Sequence, residues 1–547
     1  MLKFSNRLKT NAFYQRHAVR VLLTLAFTGS LQAQTVDSES GDSEAIRPLD
    51  GGEADRVKTG ETVWSDRDYR FTEWPKPFSS HRVFLRSSIG KTELEVQERG
   101  FIVVLTPQDT EHNQESKLTF WQGFEKVDRP SFHPYETKPG QNGNLCHAFQ
   151  KPVEIGDVIE FGYYGIALWS RHPLPLVAGD SSEPLLPIPT IDISREANRH
   201  SFVAHGTEEI YQGHTDTVLM PNGKTMWATW ALDHAGYLGP LAKSTDAGKT
   251  WSDLIPSHPT WKEQTTTTPT IHRLVDPKGI ERLFVFAGQN FPGRLRQSYS
   301  EDDGETWTPM LETGLKAECP PKTIMSFDGG KQLMMWCDRR DPDSSPGPDQ
   351  SPVVWQSESL DGGLTWSSEQ VVVKVASQWA QPAVIASEEG ETLLMLLRNN
   401  NSGPGQFSVS HDSGKTWAAA KWLPLALTGH RHNVKRAPDG RLVVVMRDTA
   451  RDFVNQTRYN PTAGHFVAWV GTFEDILEGR DGQYRIKLLH SYAGSDTGYS
   501  GLEVLPDGTF VATTYVKYQP GQKKHSVVAT RFHLDEIDSR QPPAVTK

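Results

Sequence analysis

An all-β architecture, a six-bladed β-propeller preceded by a small β-sandwich-like domain, is predicted for this 547-residue chain by three observations. An apolar strand, a turn rich in Gly, Asp or Glu, and a second apolar strand recur six times beyond residue 205. Four of these units share the pattern Ser-x-Asp-x-Gly-x-Thr-Trp without a departure. The repeat length of about 50 residues is that of one four-stranded propeller blade.

The six hairpins read VLMPNGKTMWATW from Val218, HRLVDPKGIERLFVF from His272, IMSFDGGKQLMMW from Ile324, VIASEEGETLLMLL from Val384, KRAPDGRLVVVM from Lys435 and EVLPDGTFVATTY from Glu503. Their turn residues supply the positive φ that a tight hairpin needs. The shared pattern follows as STDAGKTW at Ser244, SEDDGETW at Ser300, SLDGGLTW at Ser359 and SHDSGKTW at Ser410, spaced 51 to 59 residues apart. In each, the Asp is suited to accept backbone N–H groups, the Gly to a left-handed turn, and the Trp to packing between blades. Units five and six keep strands there, HFVAWVGTF and HSVVATRFHL, without the pattern. These features assign residues 205–537 to the propeller and 538–547 to a tail.

The N-terminal residues divide differently. Residues 1–33 read as an export signal: Lys3, Arg7, Lys9, Arg16 and Arg20 precede the apolar run Val21–Phe27, with a cleavage site after Ala33. That run is shorter than the ~20 residues that span a bilayer, so an exported protein, periplasmic or secreted, without stable membrane insertion is expected. Residues 34–60 have the Ser, Gly, Asp and Glu content of a flexible spacer. Short strand signals at Arg82–Arg86, Leu94–Leu105, Leu118–Trp121, Leu145–Phe149 and Val158–Trp169 assign 61–171 to a β-sandwich-like accessory domain. Residues 172–204, with Pro173, Pro175, Pro184, Pro187 and Pro189, read as a linker.

The net charge of −10 argues against nucleic acid as a partner. Cys146, Cys319 and Cys337 make neither a disulfide framework nor a zinc site. No phosphate-binding glycine loop or serine-hydrolase elbow occurs, so no cofactor is expected.

Strand direction places the chemistry. Hairpin turns and Ser-x-Asp turns fall on one edge of the propeller, and the residues before each first strand and after each second strand fall on the other. That second edge collects Gln212, His214, Asp216, Thr267, Thr268, Lys322, Gln381, Arg431, His432 and Tyr499 from strand starts. It also collects Asp233, His234, Asn290, Arg339, Arg340, Arg398, Arg447, Asp448 and Lys517 from strand ends. Guanidiniums converging on one concave rim suit the carboxylate or sulfate of an acidic glycan.

The Ser-x-Asp pattern is the Asp-box, and the segment GYSGLEVLPDGTFVATTYVKY from Gly498 closely resembles the final blade of bacterial exo-sialidases. The resemblance covers roughly residues 205 to 535. It implies that Tyr499 acts as nucleophile, that Arg398 in LLMLLRNN binds the substrate carboxylate, and that Asp233 serves as acid/base. The chain departs from the family at Gln212-Gly213-His214, where the family has Arg-Ile-Pro, and at Ala380-Gln381-Pro382, where it has Ser-Glu-Pro. Histidine is easily poised as a base near neutral pH, so His214 and His432 are candidates to replace the lost Glu. Arg431, Gln381, Gln212 and Arg339 complete the candidate substrate contacts. The leading expectation is a sialidase-like glycoside hydrolase releasing an acidic sugar. A lyase on uronic-acid polymers, or a glycan-binding propeller without catalysis, are the alternatives.

Overall fold

The computed structural model describes residues 185–540 apart from 235, 290–292, 318, 342–351, 376, 378, 401–402, 454–459, 494 and 520–521. Before them it describes 45–49, 53–55, 59, 61–63, 68–74, 78, 83–86, 92–107, 124–127, 132–161 and 165–174. The expected export signal, the strand Leu118–Trp121 and Asn290 lie outside the described residues.

Six sheets, antiparallel apart from one added strand on the fifth, form the propeller. Their innermost strands are Gln212–Leu219, Thr270–Val275, Ile324–Phe327, Ala383–Ala386, Gly429–Arg436 and Ser500–Val504. Each pairs with the strand that follows it in sequence, so every hairpin seen in the sequence is one blade's first two strands. Alternate strand residues point to opposite faces, and the apolar sets of neighbouring blades meet in shared clusters. Leu283 and Val285 of blade two pack with Trp227 of blade one, and Met335 and Trp355 of blade three pack with Phe284 and Phe286 of blade two.

Two strands depart from the expected linker 172–204. His200–Ala204 pairs with Ser526–Phe532 as the outermost strand of blade six, and Thr190–Asp192 pairs in parallel with Tyr484–Leu489 on blade five. The prolines masked this from sequence reading. Pairing the segment before blade one with the last blade closes the ring, and closure leaves no exposed edge there.

The four Ser-x-Asp turns are built alike. In the first, Ser244 Oγ donates to Asp246 Oδ1 at 2.8 Å and accepts from Gly248 N at 2.8 Å, while Thr250 donates to Asp246 from both N (2.9 Å) and Oγ1 (2.6 Å). Ser300, Ser359 and Ser410 repeat these contacts with Asp302, Asp361 and Asp412. The tryptophans insert between blades: Trp307 packs edge-on against Trp261, and Trp417 against Trp336.

On the axis, a buried ion pair holds the inner strands together. Lys322 Nζ donates to Asp216 Oδ1 at 2.6 Å and to Ser500 O at 2.7 Å. Asp216 also accepts from Ile271 N, and Ser500 O accepts from Asn433 Nδ2. Blades one, two, three, five and six thereby share one network, whose polar atoms are mutually satisfied as burial demands. Asp216 and Lys322 are therefore structural, although strand direction placed them with the functional edge.

The N-terminal sheets comprise Ile46–Pro48, Thr92–Val96 and Val158–Phe161 in one, with Gly100–Pro107 and Cys146–Val153 central to a six-stranded second. Ile102 and Val104 face Leu94 and Ile159 of the smaller sheet, while Val103 and Leu105 pack on the other side. The expected strands Leu94–Leu105 and Val158–Trp169 are each two strands in different sheets. Strands at Ile46–Pro48 and Glu53–Asp55 fall within the expected spacer 34–60; buried Ala45 and Ile46 anchor the first of them. Among the described residues no helix is long and apolar enough to cross a membrane.

Candidate active site

Tyr499 lies just before the inner strand of blade six, and the residue before it explains its placement. Gly498 has φ +99°, and a Cβ there would stand 2.5 Å from Arg447 Cβ and 2.7 Å from Arg447 N. Only glycine permits this approach, which brings Tyr499 of blade six beside Arg447 at the end of blade five's second strand.

The Tyr499 hydroxyl oxygen accepts from Gln381 Nε2 at 2.8 Å and from Arg398 Nη1 at 3.2 Å. Arg398 Nη1 also donates to Gln381 Oε1 at 2.9 Å, closing a buried triangle. The Arg431 guanidinium lies 5.2 Å from the centre of the Tyr499 ring. The His214 ring stacks on Tyr499 with centroids 3.9 Å apart and planes 18° apart. Blades one, four, five and six thus all reach one phenol.

Two of these residues are held in unusual backbone conformations. Gln381 has φ +42° and Arg431 φ +57°. For residues with a Cβ such angles persist only where the surroundings enforce them. Asp338 Oδ2 enforces the first, accepting from Ala380 N at 2.9 Å and Gln381 N at 3.1 Å. A break in strand register between His430 and Asn433 produces the second, and Arg431 is the residue that turns to Tyr499.

Tyr499 and Arg398 open onto a cavity of about 420 Å³, lined also by Arg447, Lys517, His234 and Asp496 among others. Asp496 is its organised carboxylate. It accepts from Tyr211 Oη at 2.7 Å and Tyr515 Oη at 3.1 Å, and pairs with His234 Nδ1 at 3.0 Å. Burial opposes its charge, but the hydrogen bond from His234 and the neighbouring His525 outweigh burial and hold the carboxyl well below the usual range. Asp496 therefore stays ionised and orients the His234 imidazole.

His214 donates or accepts at Nδ1 with Thr268 Oγ1 at 2.7 Å, and its Nε2 is buried without a hydrogen-bond partner. Burial first, then the neighbouring His234, push it well below the ordinary histidine range. It is a neutral ring that packs against Tyr499.

The other expected residues lie elsewhere. Asp233 has φ +70° and is exposed; its Oδ1 accepts from His234 N at 2.9 Å. At this left-handed turn it is the neighbouring His234, and not Asp233, that lines the cavity. His432 is buried with Nε2 on Leu427 O at 3.0 Å, because the same register break that presents Arg431 turns His432 away. Gln212 bridges His205 O and Trp230 Nε1 inside blade one. Arg339 is engaged by Glu369 at 2.6 Å within blade three. Of the expected set, the structure gathers Tyr499, Arg398, Gln381, Arg431 and His214.

Sequence reading missed Asp496, although it stands only three residues before Tyr499. Arg447, His234 and Lys517 were within the predicted rim without an assigned role. Cys319 and Cys337 are free thiols, and Cys319 Sγ accepts from Gln381 Nε2 at 3.1 Å.

No protein-family model matches the chain, and no curated protein matches it. Among solved structures it is similar to the intramolecular trans-sialidase from Ruminococcus gnavus in complex with oseltamivir carboxylate, at 15% identity and a TM-score of 0.43, covering 62% of this chain and 98% of that one. It is similar to the NanB sialidase from Streptococcus pneumoniae at 11% identity and a TM-score of 0.43, covering 91% and 94%. It is also similar to the endo-arabinase from Bacteroides thetaiotaomicron at 12% identity and a TM-score of 0.31, covering 61% and 98%.

Proposed function

We propose that the protein is an exported glycoside hydrolase that releases an acidic sugar, sialic acid or a relative, from glycans. One observation carries this reading. The Tyr499 oxygen accepts hydrogen bonds from Gln381 and Arg398 inside a cavity that also presents Arg447 and Lys517. Arginines hold a sugar carboxylate bidentately. Binding it there sets the anomeric carbon against the phenol, and Tyr499 Oη bonds to that carbon as the glycosidic C–O bond breaks. The Gln381 amide presents an N–H to Tyr499 and takes no proton. His234, aligned by Asp496, accepts the phenolic proton and passes it to the leaving oxygen. Water then attacks the anomeric carbon as its bond to Tyr499 Oη breaks, and the water's proton returns to that phenolate by the same imidazole, so configuration is retained.

A second reading is favoured by the amide at position 381. With two donors and no carboxylate on its oxygen, Tyr499 is also placed to take the proton α to a uronate carboxylate neutralised by Arg398 and Arg447, which is lyase chemistry. Incubation with sialosides and uronate polysaccharides, following free sugar and ultraviolet absorbance together, separates the two. Free acidic sugar without new absorbance is expected. An unsaturated product would establish the lyase, and silence in both channels would leave a glycan-binding propeller.

A further inference from the structure

The cavity around Tyr499 is not made by the propeller alone. Glu93, Val158 and Glu160 of the N-terminal sheets line it together with Arg398, Arg447 and Lys517. Glu93 and Glu160 are direct partners on adjacent antiparallel strands. Their neighbours Leu94 and Ile159 are fully buried in the core between their own sheet and the six-stranded one. Strand alternation therefore turns both carboxylates to the opposite face, towards the cavity. Like charges directly across a strand pair weaken a sheet.

The edge carrying it is fixed to the loop that leads to Tyr499. Val158 N donates to Tyr492 O at 2.9 Å, and His490 Nε2 pairs with Asp157. Arg195 pairs with Glu154 at 3.1 Å on the same side. Glu160 is thus held two and three residues from interdomain contacts, with Glu93 paired to it, on a wall of the cavity whose propeller side presents Arg398, Arg447 and Lys517 beside Asp496.

Building on the glycosidase reading, the geometry points to a specificity subsite contributed by the N-terminal domain, in which Glu93 and Glu160 select the sugar adjoining the acidic one. Carboxylates accept hydrogen bonds from sugar hydroxyls. They also repel a second anion, which is selection by an unfavourable contact rather than by added affinity. The subsite takes an uncharged, hydroxyl-bearing sugar and rejects a second acidic one, so chains of consecutive acidic sugars are poor ligands.

The test measures affinity in a full-length Tyr499→Phe background, so that turnover does not consume the probes. Two pairs are compared: sialyllactose against α2,8-linked disialic acid, and glucuronosyl-xylose against digalacturonate. In at least one pair the neutral-flanked probe is expected to bind about tenfold or more tightly, and Glu93→Gln/Glu160→Gln should bring that ratio to within about threefold, chiefly by tighter binding of the diacid. Thermal unfolding of the double variant confirms that it is folded, and Glu358→Gln, far from the cavity, should leave the ratio as it was. Binding of acidic probes with a ratio insensitive to the two glutamates would overturn the subsite and leave the glycosidase reading intact. Binding of none of the four probes would overturn both.

Discussion

The two edges of the propeller solve opposite problems with the same strands. On one, four Ser-x-Asp turns repeat the same hydrogen bonds within about 0.1 Å of one another. On the other, five blades contribute different parts: stacked His214, Gln381 held by Asp338, Arg398, the displaced Arg431, and Tyr499 fitted against Arg447 through Gly498. Repetition marks what the fold needs locally in the four blades that carry the turn. Irregularity marks where residues from distant blades must meet. Left-handed residues occur on both edges, but their settings differ. Ala247, Asp303 and Ser413 occupy the same place in repeated turns, whereas Gln381 is held by Asp338 of another blade and Arg431 by a register break peculiar to its hairpin.

That contrast breaks down if variants on the two edges have the same consequences. Tyr499→Phe should have the largest effect, lowering kcat by about 10³-fold or more while leaving the unfolding temperature nearly unchanged. Arg398→Met removes both a carboxylate contact and a donor to Tyr499, and should lower kcat/KM by about 10²-fold, with a rise in KM. His234→Gln should lower kcat by about tenfold to a hundredfold with KM little changed. A change in KM alone would show that His234 only binds substrate.

Variants on the repeated edge should behave in reverse. Asp302→Ala removes the acceptor for Ser300 Oγ, Thr306 N and Thr306 Oγ1, and should lower the unfolding temperature by about 2–4 °C without altering kcat/KM. Hydrogen bonds from the Thr306 and Thr416 side chains, then from backbone N–H groups, hold Asp302 and Asp412 at about 2. A carboxyl depressed in the folded state contributes stability above its ordinary value and loses it as pH falls towards the folded value. Unfolding followed from pH 4 to pH 2 should therefore show a decline that is shallower in Asp302→Ala.

These differences also explain what the sequence disclosed. The turns and hairpins are local, so their residues announce them, down to the Asp, Gly and Thr of each pattern. Tyr499 and Arg398 were legible because they sit within recognisable blade segments. At Asp233 a left-handed φ leaves its neighbour His234 on the cavity wall, and one register break turns Arg431 towards Tyr499 and His432 towards Leu427 O. Such reversals depend on tertiary contacts that no window of sequence contains. Glu93 and Glu160 were illegible for a stronger reason: more than 300 residues separate them from Tyr499, and only the docking of one domain on another's loop makes them part of the cavity.

The most direct test of the central claim is to trap the reaction with a fluorinated acidic-sugar donor and map the labelled protein by mass spectrometry. A mass increase of one sugar on the peptide containing Tyr499, absent in Tyr499→Phe, is the expected result. Release of free acidic sugar with no adduct at Tyr499, or labelling that survives in Tyr499→Phe, would contradict it.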